Sequence, residues 1–412
     1  MGTFMFYIAR IITAPIPFGI FYDALVVITF AGIFLNIKQQ KDWTSFNNAF
    51  TVFFIVITAY QILQLFNPNA VSIKGWLVSM RNNTSLLLYI VFFQFFIAIK
   101  NIKWFTVLWL GVAFVVALYG IYQEVFGLTA FEWRWIYEVP GRLDLFYQWG
   151  SMRKFSFLSD PAAYGMFLSI SGLALVALTF GPYKLHWKFI FILASIIIFV
   201  AMLYSGTRTA TAMVVVGLLL LILLNINNSK VILFAMIIVF AGGIVYFGPF
   251  YSAKIIRLRS TFTPSQDASM GVRDYKRLRW QEYIQQHPIG GGLMTTGVSG
   301  QTYSPGHPLA GDWDPDSGYL ATALELGWIG LIIFIGFFAA VMIKGVDNHF
   351  ALTDPLLRNL NLVYIIPFFA LSIGHFTQHA MFSRPANLVV IATYALLVRL
   401  PQLENSKLKT IE

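Results

Sequence analysis

Apolar residues run along this chain in long unbroken blocks, not in the alternation of a half-buried strand or the stripe of a soluble amphipathic helix. A helix that crosses a bilayer needs about 20 mostly apolar residues, with about 17 to 25 tolerated. On that measure the pattern predicts about eleven spans, within a range of about ten to twelve, at 16–35, 49–66, 84–99, 104–122, 162–180, 189–204, 209–225, 231–248, 319–343, 360–381 and 385–400. The range reflects the first block, where residues 4–15 could form a half-span before Pro15 and Pro17. The expected fold is all-α, a polytopic transmembrane helical bundle. Residues 1–412 read as a single integral membrane domain, with neither a soluble domain nor an internal repeat. Two long polar stretches interrupt the spans, at 123–160 and 249–318. The second is expected to be partly helical, with a helix over 271–286.

Composition agrees with a membrane protein. The 412 residues are 58% hydrophobic, 17% aromatic and only 11% charged, whereas an ordinary soluble domain carries about 25% charged residues. Such a chain could not cover its surface in water. Disorder and collagen-like structure are excluded. The net charge of +10 fits basic loops against anionic headgroups, not nucleic acid. With no cysteine, disulfides, thiolate chemistry and Cys-ligated metals are excluded. The apolar stretch from Met5 to Leu35 runs on without a break, so it reads as an anchor and not a cleaved leader.

Counting through the spans puts both long loops on one side. The short-loop side, with Arg399 at its boundary, carries ten Lys and two Arg. By the positive-inside rule, from which long loops are exempt, that side is cytoplasmic. The opposite, external side carries twelve Arg and four Lys. Arg grips phosphate through two parallel hydrogen bonds, so a phosphate-bearing substrate is expected on the outer face.

The candidate chemistry gathers there. Arg208 is the one charged residue between Phe189 and Ser229, in Ser205-Gly206-Thr207-Arg208. An ionisable group at membrane level marks a functional site, although an Arg at a helix end also reaches for headgroups. Residues 254–279 hold seven basic residues against two acidic ones. Within them Arg273 and Arg277 share a helix face. They read as an anion site or as an interfacial helix on lipid. His287-Pro288-Ile289-Gly290-Gly291-Gly292 ends that helix, either as a plain loop or as a place where backbone approaches a ligand. Asp312, Asp314 and Asp316 precede the next span. Their spacing fails the EF-hand template, since Ser317 and Ala323 stand where Gly and Glu are required. Asp316 reads as a general base or a helix N-cap. Ser159-Asp160-Pro161 reads as a helix cap. His375 and His379 fall i, i+4 inside a span, as a zinc pair or as cavity-lining histidines. Asp23 and Glu325 should face the bundle interior.

These motifs together resemble the O-antigen ligase and O-antigen polymerase superfamily of bacterial inner-membrane glycosyltransferases. The resemblance rests on Ser205-Gly206-Thr207-Arg208, on the Arg-rich helix through Arg273 and Arg277 to Gly290-Gly291-Gly292, and on Asp316-Ser317-Gly318-Tyr319 leading into Glu325-Leu326-Gly327-Trp328-Ile329-Gly330. It covers about 200–335, including loop 249–318. It implies a multi-pass cell inner-membrane enzyme of lipopolysaccharide biosynthesis. Such an enzyme takes a glycan from an undecaprenyl-pyrophosphate carrier and passes it to lipid A-core, or in a polysaccharide polymerase to another glycan repeat. It implies no metal and no other cofactor. Arg208 matches the arginine of the turn, and Arg273 or Arg277 that of the loop. Asp316 stands where the family places a histidine, and His307 is the nearest histidine upstream. With these catalytic candidates go Arg279, His307, Gly290, Gly291, Gly292 and Tyr319 as substrate contacts. The partners expected are the lipid-linked donor, the acceptor and membrane lipids. A protein O-glycosyltransferase differs only in acceptor. A lipid-linked anion transporter or flippase is the non-enzyme alternative, and the absence of an inverted repeat counts against it.

Overall fold

The computed structural model describes residues 18–35, 41–43, 46–81, 84–148, 150–251, 253–260, 268–311 and 313–411. Each predicted span overlaps a helix, although the helix ends do not always match the predicted ones. In chain order these are α1 (Phe18–Leu35), α2 (Ala49–Leu63, continued by a 3-10 turn Gln64–Phe66), the linking helix α3 (Ile73–Arg81), α4 (Thr84–Phe95) and α5 (Ile99–Phe126). After a loop come α8 (Pro161–Thr179), α9 (Leu185–Leu203), α10 (Arg208–Leu224) and α11 (Ser229–Phe247), and after a second loop α15 (Gly318–Ala351), α16 (Pro355–Gly374) and α17 (Ala386–Ile411). The first loop holds α6 (Ala130–Tyr137), α7 (Arg142–Phe146) and a hairpin of β1 (Tyr147–Gln148) with β2 (Ser151–Met152). The second holds α12 (Ala253–Ser260), α13 (Ala268–Gln286) and α14 (Gly297–Tyr303).

Eight helices among the described residues are long and apolar enough to cross a membrane, and Phe21–Leu35 and Arg208–Leu224 are shorter apolar ones. The protein is thus a multi-pass helical membrane protein. Helix α4 is shorter than expected, with 12 residues, which reach about 18 Å against a hydrocarbon core of about 30 Å. The chain turns at 96–98, and the polar Lys100, Asn101 and Lys103 lie within α5. Polar residues at a helix end can stand above the lipid, so the helix starts before the hydropathy does.

Helix α8 is the hub. Most of it is buried (89%), as is most of α16 (78%), whereas only 6% of α11 is buried. Asp160 starts α8 as expected, its carboxylate accepting from the N–H groups of Ala162 and Ala163, both at 2.9 Å. Helix α13 docks on α15 through a small separate core of Ile284, Leu309, Ala323 and Leu324, with Trp280 and Trp313 stacked beside it.

Helix α15 is broken at Gly327, whose φ of 68° is left-handed. The break strips carbonyls of their helical partners, and the glycine loop replaces them. Gly291 N–H donates to Leu324 (2.8 Å) and Gly292 N–H to Glu325 (3.0 Å), while the Tyr60 hydroxyl donates to Leu326 (2.8 Å). Thr296 donates to the Glu325 carboxylate at 2.7 Å.

Candidate functional site

The turn before α10 is built by its neighbours. Gly206 takes a φ of 57°, and Thr207 and Ser205 are buried. Arg153, from the first loop, donates to the Ser205 carbonyl (2.8 Å) and to the Thr207 hydroxyl (2.9 Å). Thr207 in turn donates to the Pro161 carbonyl at 3.1 Å. The start of α8 and the first loop therefore hold the turn that presents Arg208 as the first residue of α10, half-buried.

Three segments far apart in sequence meet on one stretch, Gly374–Pro385, between α16 and α17. From the Arg208 turn, the Thr209 hydroxyl lies 2.8 Å from that of Thr377. From α13, Arg277 donates to the Phe376 carbonyl at 3.1 Å, with its guanidinium 4.2 Å above the Phe376 ring. From the start of α15, Gly318 N–H donates to the His375 carbonyl (3.0 Å), and His379 donates to the Pro315 carbonyl (2.7 Å). Lys276, next to Arg277, donates to the Asp314 carbonyl (3.0 Å) and lies 3.6 Å from the Asp316 carboxylate. Desolvation pushes the Asp314 carboxyl above its usual value. His379 opposes that shift, Asp316 adds to it, and Lys276 opposes it. Arg277 and Asp316 are thus drawn toward one junction with the Arg208 turn.

Several expectations change. The N-cap of α15 is Ser317, which accepts from Leu320 N–H at 3.3 Å, so Asp316 is not the cap. The helix expected through residue 381 ends at Gly374, so His375 and His379 do not lie one turn apart in a span. Their ring centroids are 6.4 Å apart at right angles, and His375 accepts from Met381 N–H through Nδ1. That is not the geometry of a paired metal grip. His375 is fully buried, and its Nε2 has no hydrogen-bond partner.

The other candidates sit further from the junction or are already engaged. His307 is buried at the heart of the second loop, where its Nδ1 accepts from Leu309 N–H at 3.1 Å. Burial holds its imidazole below the usual histidine value, a backbone hydrogen bond at Asn69 works the other way, and His287 lowers it further. The N–H groups of Gly291 and Gly292 are committed to the broken helix, and Gly290 lies against it, so the glycine triplet has a packing role. Arg279 is exposed beside Trp280. The Tyr319 hydroxyl donates to Ser372 at 2.9 Å. Arg273 falls on α13, but its side chain lies outside the described residues, as does Asp312. Among the described residues no three His, Asp or Glu side chains gather as a metal site would require.

Sequence reasoning passed over Arg153 and Thr377, and counted Lys276 only among the basic residues of its loop. Arg153 and Lys276 carry no motif, and Thr377 lies in an apolar run whose fold-back hydropathy cannot see.

The comparison with known proteins now has a structural address. Residues 193–335 match the family model described as O-antigen ligase, which bears out the resemblance to that superfamily. The match spans the Arg208 turn, helix α13, the glycine loop and the broken half of α15. No curated protein matches the chain. The family match supports membrane glycan transfer of the O-antigen ligase type, with a lipid-linked glycan and an acceptor as substrates in general.

Proposed function

We propose that the protein transfers a glycan from an undecaprenyl-pyrophosphate carrier to an acceptor hydroxyl, at the periplasmic end of the bundle. The observation that carries this reading is the junction at Gly374–Pro385, where the turn bearing Arg208, the helix bearing Arg277 and the strand of chain bearing Asp316 come together.

The chemistry follows from charge. As the glycosidic bond breaks, negative charge collects on the departing lipid pyrophosphate. Guanidinium groups at Arg208 and Arg277 stabilise that charge without a metal. The acceptor oxygen approaches the opposite face of the anomeric carbon, and Asp316 removes its proton as the new bond forms. A single displacement inverts the anomeric configuration. Lys276 pairs with Asp316 at 3.6 Å and so sets that carboxylate beside the helix that bears Arg277.

Binding and turnover separate the roles. Purified protein given a defined polyprenyl-pyrophosphate glycan should bind it, and Arg208→Gln or Arg277→Gln should weaken that binding. Addition of acceptor should release free polyprenyl pyrophosphate. A flippase would bind donor yet form no new covalent product, and that outcome would overturn the reading.

A further inference from the structure

A second group of cations gathers around Asp23, and one of them, Arg384, lies near the end of the Gly374–Pro385 stretch. Asp23 is the first acidic residue in the chain, and it receives two arginines. Arg81, the last residue of α3, brings Nε to 3.0 Å from one carboxylate oxygen. Arg384, just before α17, lies 3.9 Å from the other. One carboxylate balances one guanidinium, so the trio carries a net charge of +1. The Arg384 contact is too long for a hydrogen bond. Its guanidinium instead lies 4.0 Å over the Tyr22 ring, within reach of cation–π attraction. Both arginine side chains remain open, at 49% and 32% exposure, so N–H donors remain on two converging forks. The Tyr22 hydroxyl beside them has no hydrogen-bond partner.

An ion pair whose sole purpose was to neutralise Asp23 would need one arginine. We propose that Arg81 and Arg384 form a phosphate site that holds the headgroup of an anionic membrane amphiphile. Two guanidinium forks on one tetrahedral anion are the recognition geometry of phosphate. The amphiphile follows from what surrounds the forks. Val27, one turn along α1 from Asp23, and Leu77, one turn before Arg81 on α3, are exposed, and they form an apolar wall beside the forks against which an acyl chain can lie. A free phosphate ion would have no use for that wall. Asp23 occupies the forks in the empty state and is the internal competitor of the ligand.

The competitor gives the test its sign. Dodecyl phosphate is titrated into the full-length protein in dodecyl maltoside, and bound copies are counted by native mass spectrometry. Arg81→Gln with Arg384→Gln should weaken one binding event by about tenfold or more, as expected for lost charge-assisted hydrogen bonds. Asp23→Asn should tighten it several-fold. Inorganic phosphate at equal concentration should not displace the probe. The triple variant, with Asp23→Asn added to both arginine changes, leaves no uncompensated charge behind and guards against misfolding; it too should lose the event. Unchanged binding in the arginine variants, or no tightening in Asp23→Asn, would overturn the proposal. Displacement by inorganic phosphate would show a free-phosphate site and refute the amphiphile. Glycan transfer is not read at any point, so the outcome is independent of the transfer reading.

Discussion

Replacing Gly290 with alanine measures how the second loop is fastened. Gly290 has a φ of 78°, and a β-carbon there would stand 2.4 Å from the Glu325 carbonyl oxygen and 2.5 Å from Gly327 N. Those are backbone atoms, which cannot swing aside. Gly306 is the internal control, with a φ of 87° and nothing within 4 Å of an added β-carbon. Both substitutions incur the left-handed penalty, about 1–2 kcal/mol. Gly290→Ala adds overpacking of about 1–3 kcal/mol and strains the adjoining hydrogen bonds of Gly291 and Gly292, worth about 1 kcal/mol each. These terms overlap, so the expected loss is about 3–5 kcal/mol for Gly290→Ala against about 1–2 for Gly306→Ala. Thermal unfolding in detergent, followed by the monodisperse fraction on size exclusion, gives the comparison. Equal losses would refute the packing role. Normal stability with a raised KM for donor would return the triplet to ligand binding.

Arg208→Lys should abolish most transfer while insertion is spared, because lysine keeps the charge and loses the fork; near-wild-type transfer would leave Arg208 as a headgroup anchor. Asp316→Asn should slow turnover by about 10²-fold or more with donor binding intact, and since Ser317 caps α15, a folding defect is not expected. Transfer should survive EDTA; loss on chelation with recovery by added Mg²⁺ or Mn²⁺ would move the aspartates into a metal site. Stability should fall as pH drops from 7 to 5. The unfolded His307 takes up a proton below about pH 6.5 and the buried one resists, so the unfolded state gains the proton first; His307→Gln should flatten that slope in a melting series. Thr209→Cys with Thr377→Cys, in a chain that has no native cysteine, should cross-link readily, and failure to do so would separate the two turns.

The helices were legible because the bilayer demands a long apolar run, and such a run survives without knowledge of its neighbours. Helix α13 was legible too, since its charge and the Pro288 stop mark it. What hydropathy could not show was where an apolar run bends back. Phe376, Met381 and Phe382 continue the hydrophobicity of α16, yet the helix has already ended, and that bend is where the site elements meet. The break at Gly327 was hidden in the same way, because its cause lies at Gly290 to Gly292, distant in sequence. Arg208 stood out by its charge in an apolar setting, and Arg277 by sharing a face with Arg273 on an Arg-rich helix. Arg153 did not, since an arginine in a polar loop has no signature until the carbonyl of Ser205 is found beside it.

The central claim is that this junction catalyses glycan transfer, and the mass of the product tests it most directly. Purified protein in nanodiscs is given a defined undecaprenyl-pyrophosphate glycan and a panel of acceptors, including lipid A-core and a second copy of the glycan. The account predicts one acceptor that gains the mass of the glycan, released undecaprenyl pyrophosphate, an inverted anomeric linkage, and neither product with Arg277→Gln. Donor recovered intact with every acceptor, or product formed equally well by Arg277→Gln, would contradict it.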